Sequence, residues 1–126
     1  MNDYSFLLGT YDDIPEITSI YHRIIGTPGC TWDLDYPNSG TAKYDIDNKW
    51  LYILKKDCKI IAVASIGDMN ELDDIKWTPH KPCEMARIGV IPEMQKQGIG
   101  SFLLRKLINK MTDKGFDGIR IIPESV

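Results

Sequence analysis

The sequence predicts one three-layer α-β-α domain of the α/β class (α+β in some classifications), built on a mixed and mostly antiparallel sheet. The first observation is the length, because 126 residues suit a single domain with one core. The second is the alternation of short β-branched runs with two segments whose apolar residues recur at helical spacing. The third is the order strand, helix, hairpin, strand, helix, strand, whose last three elements require a parallel, right-handed crossover.

The first half of the chain contains one predicted strand and one predicted long helix. Residues 5–8 form the strand, which ends at Gly9. Asp12 or Asp13 can cap the helix, with Pro15 in its first turn. The apolar face of this helix consists of residues at helical spacing, namely Ile14, Ile17, Ile20, Tyr21, Ile24 and Ile25. Residues 30–48 are predicted to be irregular, except for one short helix near residues 41–47.

The second half contains a hairpin, a strand, a long helix and a last strand. Residues 50–54 and 60–66 are the hairpin strands, and a polar turn joins them. The next strand covers residues 83–91. The helix that begins after Gly98 ends before Gly115, where contact of Phe116 with Met111 is typical of a Schellman cap. Residues 118–122 form the last strand.

Composition and charge exclude several classes of function. A net charge of -3 and a pI of about 5.3 give no reason to expect nucleic-acid binding. No apolar run approaches the roughly 20 residues that span a bilayer, and the N-terminus lacks a signal-type segment, so we expect a cytoplasmic protein without a membrane partner. The cysteines (Cys30, Cys58 and Cys83) are too far apart for a disulfide framework or a zinc site, and Asp73 and Asp74 lack spaced companion ligands. We therefore expect no metal.

The most informative segment is residues 88–101, where a strand, a glycine-containing loop and a helix follow one another. The apolar strand stops at Pro92, and the polar loop then brings Gly98 and Gly100 to the start of an amphipathic helix. Glycines let the main chain approach a ligand closely, and the first N–H groups of a helix lack intrahelical acceptors. Together with the helix dipole, these donors favour an anion. The segment therefore predicts a phosphate-bearing cofactor held mainly by main chain.

Two common phosphate-binding motifs do not match this loop. A dinucleotide-binding turn requires a third glycine where this chain has Leu103, and it is tighter than the six residues between Ile91 and Gly98. A P-loop requires a lysine before its serine or threonine, whereas Ser101 directly follows Gly100. A glycine turn that merely starts a helix is the remaining structural alternative.

The spacing Gln95-x-x-Gly98-x-Gly100, after an apolar strand and a proline, resembles the Q/R-x-x-G-x-G/A signature of the GCN5-related N-acetyltransferase (GNAT) superfamily. The element order from Tyr4 to Ile122 is similar to the first two-thirds of that fold. The resemblance implies one acyl-CoA N-acyltransferase domain over residues 1–126 that lacks the C-terminal helix and the last two strands. It also implies direct transfer of an acetyl group from acetyl-CoA to a primary amine of a small molecule or peptide.

The resemblance assigns a cofactor role to two short stretches. Main chain at the end of the fourth strand would pair with the pantetheine arm of acetyl-CoA, which implicates Ile88, Gly89 and Val90. The loop and the helix start would hold the pyrophosphate, which implicates Gln95, Lys96, Gln97, Gly98, Ile99, Gly100 and Ser101. Backbone donors and a nearby lysine suit such an anion.

Acetyl transfer requires an unprotonated amine, a proton acceptor and a donor for the developing oxyanion. By resemblance, Glu84 is the general base, because it lies six residues before Val90 on the cofactor strand. The main-chain N–H of Val90 would be the oxyanion donor. A solvated glutamate at a strand start is the alternative for Glu84.

Aromatic residues on and after the first helix are the candidates for binding the acceptor. Tyr21, Trp32 and Tyr36 could receive a cationic amine by cation–π contact, or Trp32 and Tyr36 could instead pack the irregular loop onto the sheet. A second interpretation of the whole chain is a non-catalytic or degenerate acyl-CoA-binding GNAT domain. Its last strand would be an unpaired apolar edge, which a second subunit could cover in a homodimer.

Overall fold

A five-stranded mixed sheet forms the centre of the domain. The computed structural model describes residues 4–25, 32–33, 36–67, 82–116 and 118–121. The strands lie side by side in chain order, as β1 (Tyr4–Leu8), β2 (Leu51–Lys56), β3 (Lys59–Gly67), β4 (Pro82–Val90) and β5 (Gly118–Ile121). Neighbouring strands are antiparallel except β4 and β5, which are parallel. The predicted sheet is therefore confirmed, and each strand end lies within two residues of its predicted position.

Helices cover both faces of this sheet. The first face carries α1 (Ile14–Ile24) and α2 (Ser39–Asp47), and the second carries α3 (Ile99–Asp113). Short 3-10 turns at Tyr11–Asp13 and Pro92–Met94 precede α1 and α3. The buried stripes of the two long helices are Ile17, Ile20, Tyr21 and Ile24 in α1, and Ile99, Leu103, Leu107 and Met111 in α3. Each fully buried aliphatic side chain contributes roughly 1.5–3 kcal/mol, so these stripes hold the three layers together.

Local hydrogen bonds set the helix ends. Asn38 Oδ1 accepts from the N–H of Thr41 at 3.0 Å, so α2 begins two residues before its predicted position. Asp13 directly precedes α1, as predicted, but its side chain makes no capping hydrogen bond to that helix. At the end of α3 the N–H of Phe116 donates to the carbonyl of Met111 at 3.0 Å, which confirms the predicted Schellman cap.

A bulge in β4 decides which side chains reach each face of the sheet. Ser65 of β3 lies opposite Ala86, and Val63 lies opposite Gly89, so two β4 residues stand against one β3 residue between these pairs. Arg87 is one of the two and has a φ of 53°. Strict alternation along β4 would place Arg87 on the α3 face, whereas the bulge turns it towards α1 and α2.

Some predicted features lie outside the described residues, namely Cys30, the Asp73–Asp74 pair and Ile122 at the end of the last strand. None of the helices in the described part of the chain combines the length and the apolar character that crossing a bilayer requires. Among the residues with described positions, no three His, Cys, Asp or Glu side chains lie close enough together to hold a metal ion.

Candidate active site

The loop after β4 brings exposed main-chain donors to the start of α3. Gly98 precedes the helix as its N-cap residue, with a φ of 82° and no side-chain capping bond. Phe102 is the first residue whose N–H reaches a carbonyl of this turn, that of Gly98 at 3.0 Å. The N–H groups of Ile99, Gly100 and Ser101 therefore have no intrahelical acceptor. The first turn of α3 contains no acidic side chain, so no carboxylate offsets the positive end of the helix dipole there.

Open space borders both glycines of this turn. A Cβ built on Gly98 or on Gly100 would meet nothing within 4 Å in the described part of the chain. The left-handed φ of Gly98 itself favours glycine, whereas Gly100 is helical and has no conformational need for it. Glycine within a helix costs about 1 kcal/mol relative to alanine. Close approach of a ligand would explain a glycine at position 100, which the fold alone does not require.

The other predicted loop residues surround this turn in different ways. Lys96 and Ser101 are exposed, and Lys96 adds a positive charge to the loop that precedes α3. Gln97 Nε2 donates to the carbonyl of Glu93 at 3.0 Å, a hydrogen bond within the loop. Ile99 is buried, so only its main chain can serve a ligand.

Gln95 connects the loop to the end of β4, because its Nε2 donates to the carbonyl of Val90 at 3.0 Å. The N–H of Ile91 donates to the carbonyl of Ile61 in β3 at 2.9 Å, so Val90, one residue earlier, directs its own N–H away from β3. The described pairing of β4 with β5 covers residues 82–85, which end five residues before Val90. The Val90 N–H thus points to the side of β5, at the level where an oxyanion donor is predicted.

The remaining two residues of the predicted pantetheine segment face opposite layers. A Cβ on Gly89 would stand 2.4 Å from Ile24 Cδ1 and 3.4 Å from the ring of Trp32, so packing against α1 accounts for this glycine. Ile88 instead faces α3, where it borders an apolar cavity of about 190 Å³ together with Gly100 and leucine side chains of α3. The cavity therefore lies between the end of β4 and the first turns of α3.

Glu84 is buried in the first half of β4, with 1% of its surface exposed. It lies opposite Gly67 of β3, and a Cβ on Gly67 would stand 2.2 Å from the ring of Trp50. Trp50 packs against Tyr44 of α2, and directly opposed residues share a face, so Glu84 lies on the α1/α2 face. The alternative of a solvated glutamate is therefore wrong, and the role of general base stays a prediction.

A buried polar cluster lies on the same face beside the bulge. This Arg87 cluster consists of Arg87, Asp45, Ser65 and Tyr36. Arg87 Nε and Nη2 donate to the two carboxylate oxygens of Asp45 at 2.6 and 2.9 Å. Ser65 Oγ donates to Asp45 Oδ2 at 2.6 Å, and Arg87 Nη1 donates to the hydroxyl of Tyr36 at 2.9 Å. Arg87 and Asp45 are 4% and 0% exposed, so the ion pair is desolvated.

The charges in the Arg87 cluster are fixed. Burial by itself disfavours the charged guanidinium, but the hydrogen bonds and the negative charge of Asp45 together raise the pKa of Arg87 above its usual range. The cation is therefore present at any pH at which the domain is folded, and its bidentate geometry fixes the direction of Nη1.

Tyr21 and Trp32 belong to the core of the α1/α2 face. Trp32 is buried and packs edge-on against Tyr21, with ring centroids 5.6 Å apart, which confirms the packing alternative for Trp32. Tyr21 is 1% exposed, and its hydroxyl has no hydrogen-bond partner among the described residues. Burial, followed by the negative charge of Asp45, raises the pKa of Tyr21 above its usual range, so this hydroxyl keeps its proton. Tyr36 differs from both, because 37% of it is exposed.

No pattern in the sequence singled out Asp45, Ser65 or Arg87 as functional residues. They lie on α2, β3 and β4, and no spacing along the chain connects them. One signal was present, because Arg87 is a lone basic residue in the middle of a buried, mostly apolar strand. Such a charge requires a partner, and the partner carboxylate could have been sought among the acidic residues of the preceding helices.

The fold is a three-layer α/β domain, and the start of α3 presents main-chain N–H donors beside open space. The sequence model of the Acetyltransferase (GNAT) family matches residues 16–124, and the chain belongs to that family. Comparison with curated protein sequences finds no match.

Solved acetyltransferase structures share this fold at low identity. The ribosomal-protein-S18-alanine N-acetyltransferase from Escherichia coli is 19% identical, with a TM-score of 0.68 over 94% of this chain and 65% of that one. A predicted acetyltransferase with acetyl-CoA from Clostridium acetobutylicum is 19% identical, with a TM-score of 0.67 over 94% and 80%. N-acetylglutamate synthase from Neisseria gonorrhoeae, complexed with coenzyme A and N-acetyl-glutamate, is 19% identical, with a TM-score of 0.67 over 92% and 24%. The chain thus spans less than two-thirds of the E. coli enzyme and about a quarter of the synthase.

Proposed function

We propose that this chain is an N-acetyltransferase that moves the acetyl group of acetyl-CoA to a primary amine of a small molecule or peptide by direct attack. The observation that carries the proposal is the start of α3, where free N–H groups and two glycines beside open space share one turn. Membership of the GNAT family supports it, as do the neighbouring structures that contain acetyl-CoA or coenzyme A.

The residues at the start of α3 fit the charge and the shape of coenzyme A. The N–H groups of Ile99, Gly100 and Ser101 would donate to the pyrophosphate, and the Lys96 ammonium would add a charge-assisted contact. The absence of a side chain at Gly100 would leave room for the phosphates against the helix. The pantetheine arm would follow the end of β4 at residues 88–90. Bound there, the thioester supplies an activated acetyl group.

The end of β4 would supply the electrostatic part of the reaction. A neutral amine attacks the thioester carbonyl, the new C–N bond forms, and the C–S bond breaks to release the thiolate. The Val90 N–H points to the β5 side, where it could stabilise the oxyanion that develops on the carbonyl. No covalent intermediate on the protein is required.

Glu84 would accept the proton of the amine through water rather than directly. Glu84 lies opposite Gly67 and Val90 lies opposite Ala62, five β3 residues apart, which corresponds to about 17 Å at roughly 3.3 Å per residue. Direct proton transfer requires a heavy-atom distance of about 3 Å. A glutamate on the α1/α2 face can therefore serve an amine near Val90 only along a chain of water molecules.

Amine-dependent release of the coenzyme A thiol tests the proposal. The purified chain is incubated with acetyl-CoA and a panel of small amines and peptides, and the acetylated product is identified by mass spectrometry. Glu84→Gln should lower kcat about 100-fold or more, with little change in the KM for acetyl-CoA. Asp57→Asn, in the exposed turn between β2 and β3, is the matched control and should change neither constant.

Each outcome of this assay decides between two functions. Thiol release that depends on an amine supports the transferase. Coenzyme A that binds in a separate calorimetric titration, without acetyl transfer to any amine of the panel, would contradict it and favour the acyl-CoA-binding domain.

A further inference from the structure

The Arg87 cluster requires an explanation beyond stability. Its ion pair is desolvated and sits at a bulge where Arg87 adopts a left-handed φ of 53°. Replacing a buried ion pair by apolar residues of similar size is often neutral or stabilising. Left-handed backbone at a non-glycine residue also carries a cost, and such residues are concentrated at functional sites. Arg87 lies on β4, the strand at which acetyl transfer is predicted, so we look for a functional reason for the cluster.

The cluster fixes one hydrogen-bond donor in space. Two of the three guanidinium nitrogens of Arg87 donate to Asp45, whose Oδ2 also accepts from Ser65. Because the guanidinium is planar, these bonds determine where the third nitrogen, Nη1, points. It points at the hydroxyl of Tyr36, at 2.9 Å.

Tyr36 is held at both of its ends. Its N–H and carbonyl pair with those of Asp33, and Asp33 Oδ1 also accepts from the Tyr36 N–H at 3.1 Å. The ring extends from this loop to Arg87 and stays partly exposed, which makes Tyr36 the accessible member of the cluster. Tyr36 is therefore a residue whose hydroxyl is fixed by Arg87 while 37% of its surface is exposed.

The Arg87 cluster presents no net positive charge that would repel an amine. The charges of Arg87 and Asp45 cancel, and the Asp33 carboxylate lies against the main chain of Tyr36. A phenol oxygen that accepts from arginine can also accept from the N–H of an amine, whose lone pair then stays available for attack. The acid Glu84 lies on the same face of β4.

We propose that Tyr36 binds the acceptor amine and that Arg87, held by Asp45, is the positioning residue that places the Tyr36 hydroxyl. This rests on the proposed function. The acceptor would donate one N–H to the Tyr36 hydroxyl and keep its lone pair for attack on the thioester.

Steady-state kinetics with the best amine of the panel test this inference. Tyr36→Phe should lower kcat/KM for the amine about 10-fold, the effect of one lost hydrogen bond, with less than a 2-fold change in the KM for acetyl-CoA. Arg87→Lys should lower kcat/KM for the amine similarly, because a lysine cannot reproduce the fork that reaches Tyr36. Tyr44→Phe, an exposed tyrosine on α2, is the control and should be neutral.

The double variant Tyr36→Phe with Arg87→Lys separates positioning from a merely structural role. If Arg87 acts through Tyr36, the double variant should be no worse than the poorer single variant, whereas independent effects would multiply. Multiplying effects, or a Tyr36→Phe enzyme with wild-type amine kinetics, would overturn the inference and leave the transferase intact. A wild-type chain that transfers no acetyl group would overturn both.

Discussion

The start of α3 and the Arg87 cluster lie on opposite faces of β4, and the chain builds them in different ways. The first is one continuous stretch, residues 95–101, that acts through main-chain N–H groups beside open space. The second combines side chains from β3, β4, α2 and the loop before α2, and its ion pair is buried. The main-chain site depends on local spacing, whereas the side-chain cluster depends on the register of β3 against β4. Substitutions should therefore affect the two regions differently.

Breaking the Arg87 cluster should have the largest effect on stability. Arg87→Met leaves the Asp45 carboxylate buried without its cation, which costs about 3–5 kcal/mol in the free energy of unfolding. Adding Asp45→Leu should recover most of this loss, because an apolar pair of similar size is often close to neutral. Urea unfolding of the wild type and both variants measures the difference. A double variant less stable than Arg87→Met alone would contradict the account.

Alanine should change the stability in opposite directions at Gly89, on the α1/α2 face of β4, and at Gly100, at the start of α3. Gly89→Ala places a Cβ 2.4 Å from Ile24 Cδ1, and such overpacking costs about 1–3 kcal/mol. Gly100→Ala meets nothing within 4 Å and should gain up to about 1 kcal/mol from helix propensity. Thermal unfolding should show a lower Tm for the first and a Tm roughly 4 °C higher for the second. Equal Tm shifts for the two variants would contradict the presence of open space beside Gly100.

The cysteines of β4 and of the β2–β3 turn should differ in reactivity. Burial raises the pKa of Cys83 to about 11, whereas Cys58 is exposed. At pH 8 the thiolate fraction of Cys83 is then about a thousandth, so iodoacetamide should label Cys58 first. Peptide mapping by mass spectrometry measures both rates in the native protein. Equal labelling would indicate that the first half of β4 opens readily.

The smallest expected change in stability concerns Glu93, which lies in the short turn before residues 95–101. Backbone hydrogen bonds, followed by contacts with Lys59 and Arg23, hold the pKa of Glu93 below its ordinary value of 4.5. A lowered pKa contributes stability that is present above the ordinary value and is lost as the pH falls through the lowered one. Glu93→Gln should therefore lower the Tm slightly at pH 7, and this difference should shrink as the pH falls below 4.5. A difference of the same size above and well below pH 4.5 would exclude this ion-pair contribution.

Most of the fold could be predicted because it follows from local patterns. Helical spacing and short β-branched runs determined the element order, and each described strand begins and ends within two residues of prediction. The early start of α2 was missed because it depends on the Asn38 cap. The bulge at Arg87 was missed because only the pairing of β3 with β4 creates it.

In the candidate site, too, the residues that follow a local pattern could be predicted from the sequence, and the others could not. The glycines of the α3 start could be recognised from their spacing alone, and the structure adds the open space beside them. Gly89 looked like part of the same motif, yet contacts with Ile24 and Trp32 explain it. Asp45 and Ser65 gave no local signal, since neither has a motif around it. A lone arginine in a buried strand was the single clue to the cluster.

The most direct test of the central claim is calorimetric titration of coenzyme A into the wild type and into Gly100→Leu. Asn109→Ala, on the exposed side of α3, serves as the control. We expect saturable binding to the wild type and to the control. For a folded Gly100→Leu protein we expect an affinity at least about 10-fold weaker, because the leucine side chain occupies the space beside the free N–H groups. No heat of binding to the folded wild type at millimolar coenzyme A, or equal affinity for Gly100→Leu, would contradict the central claim.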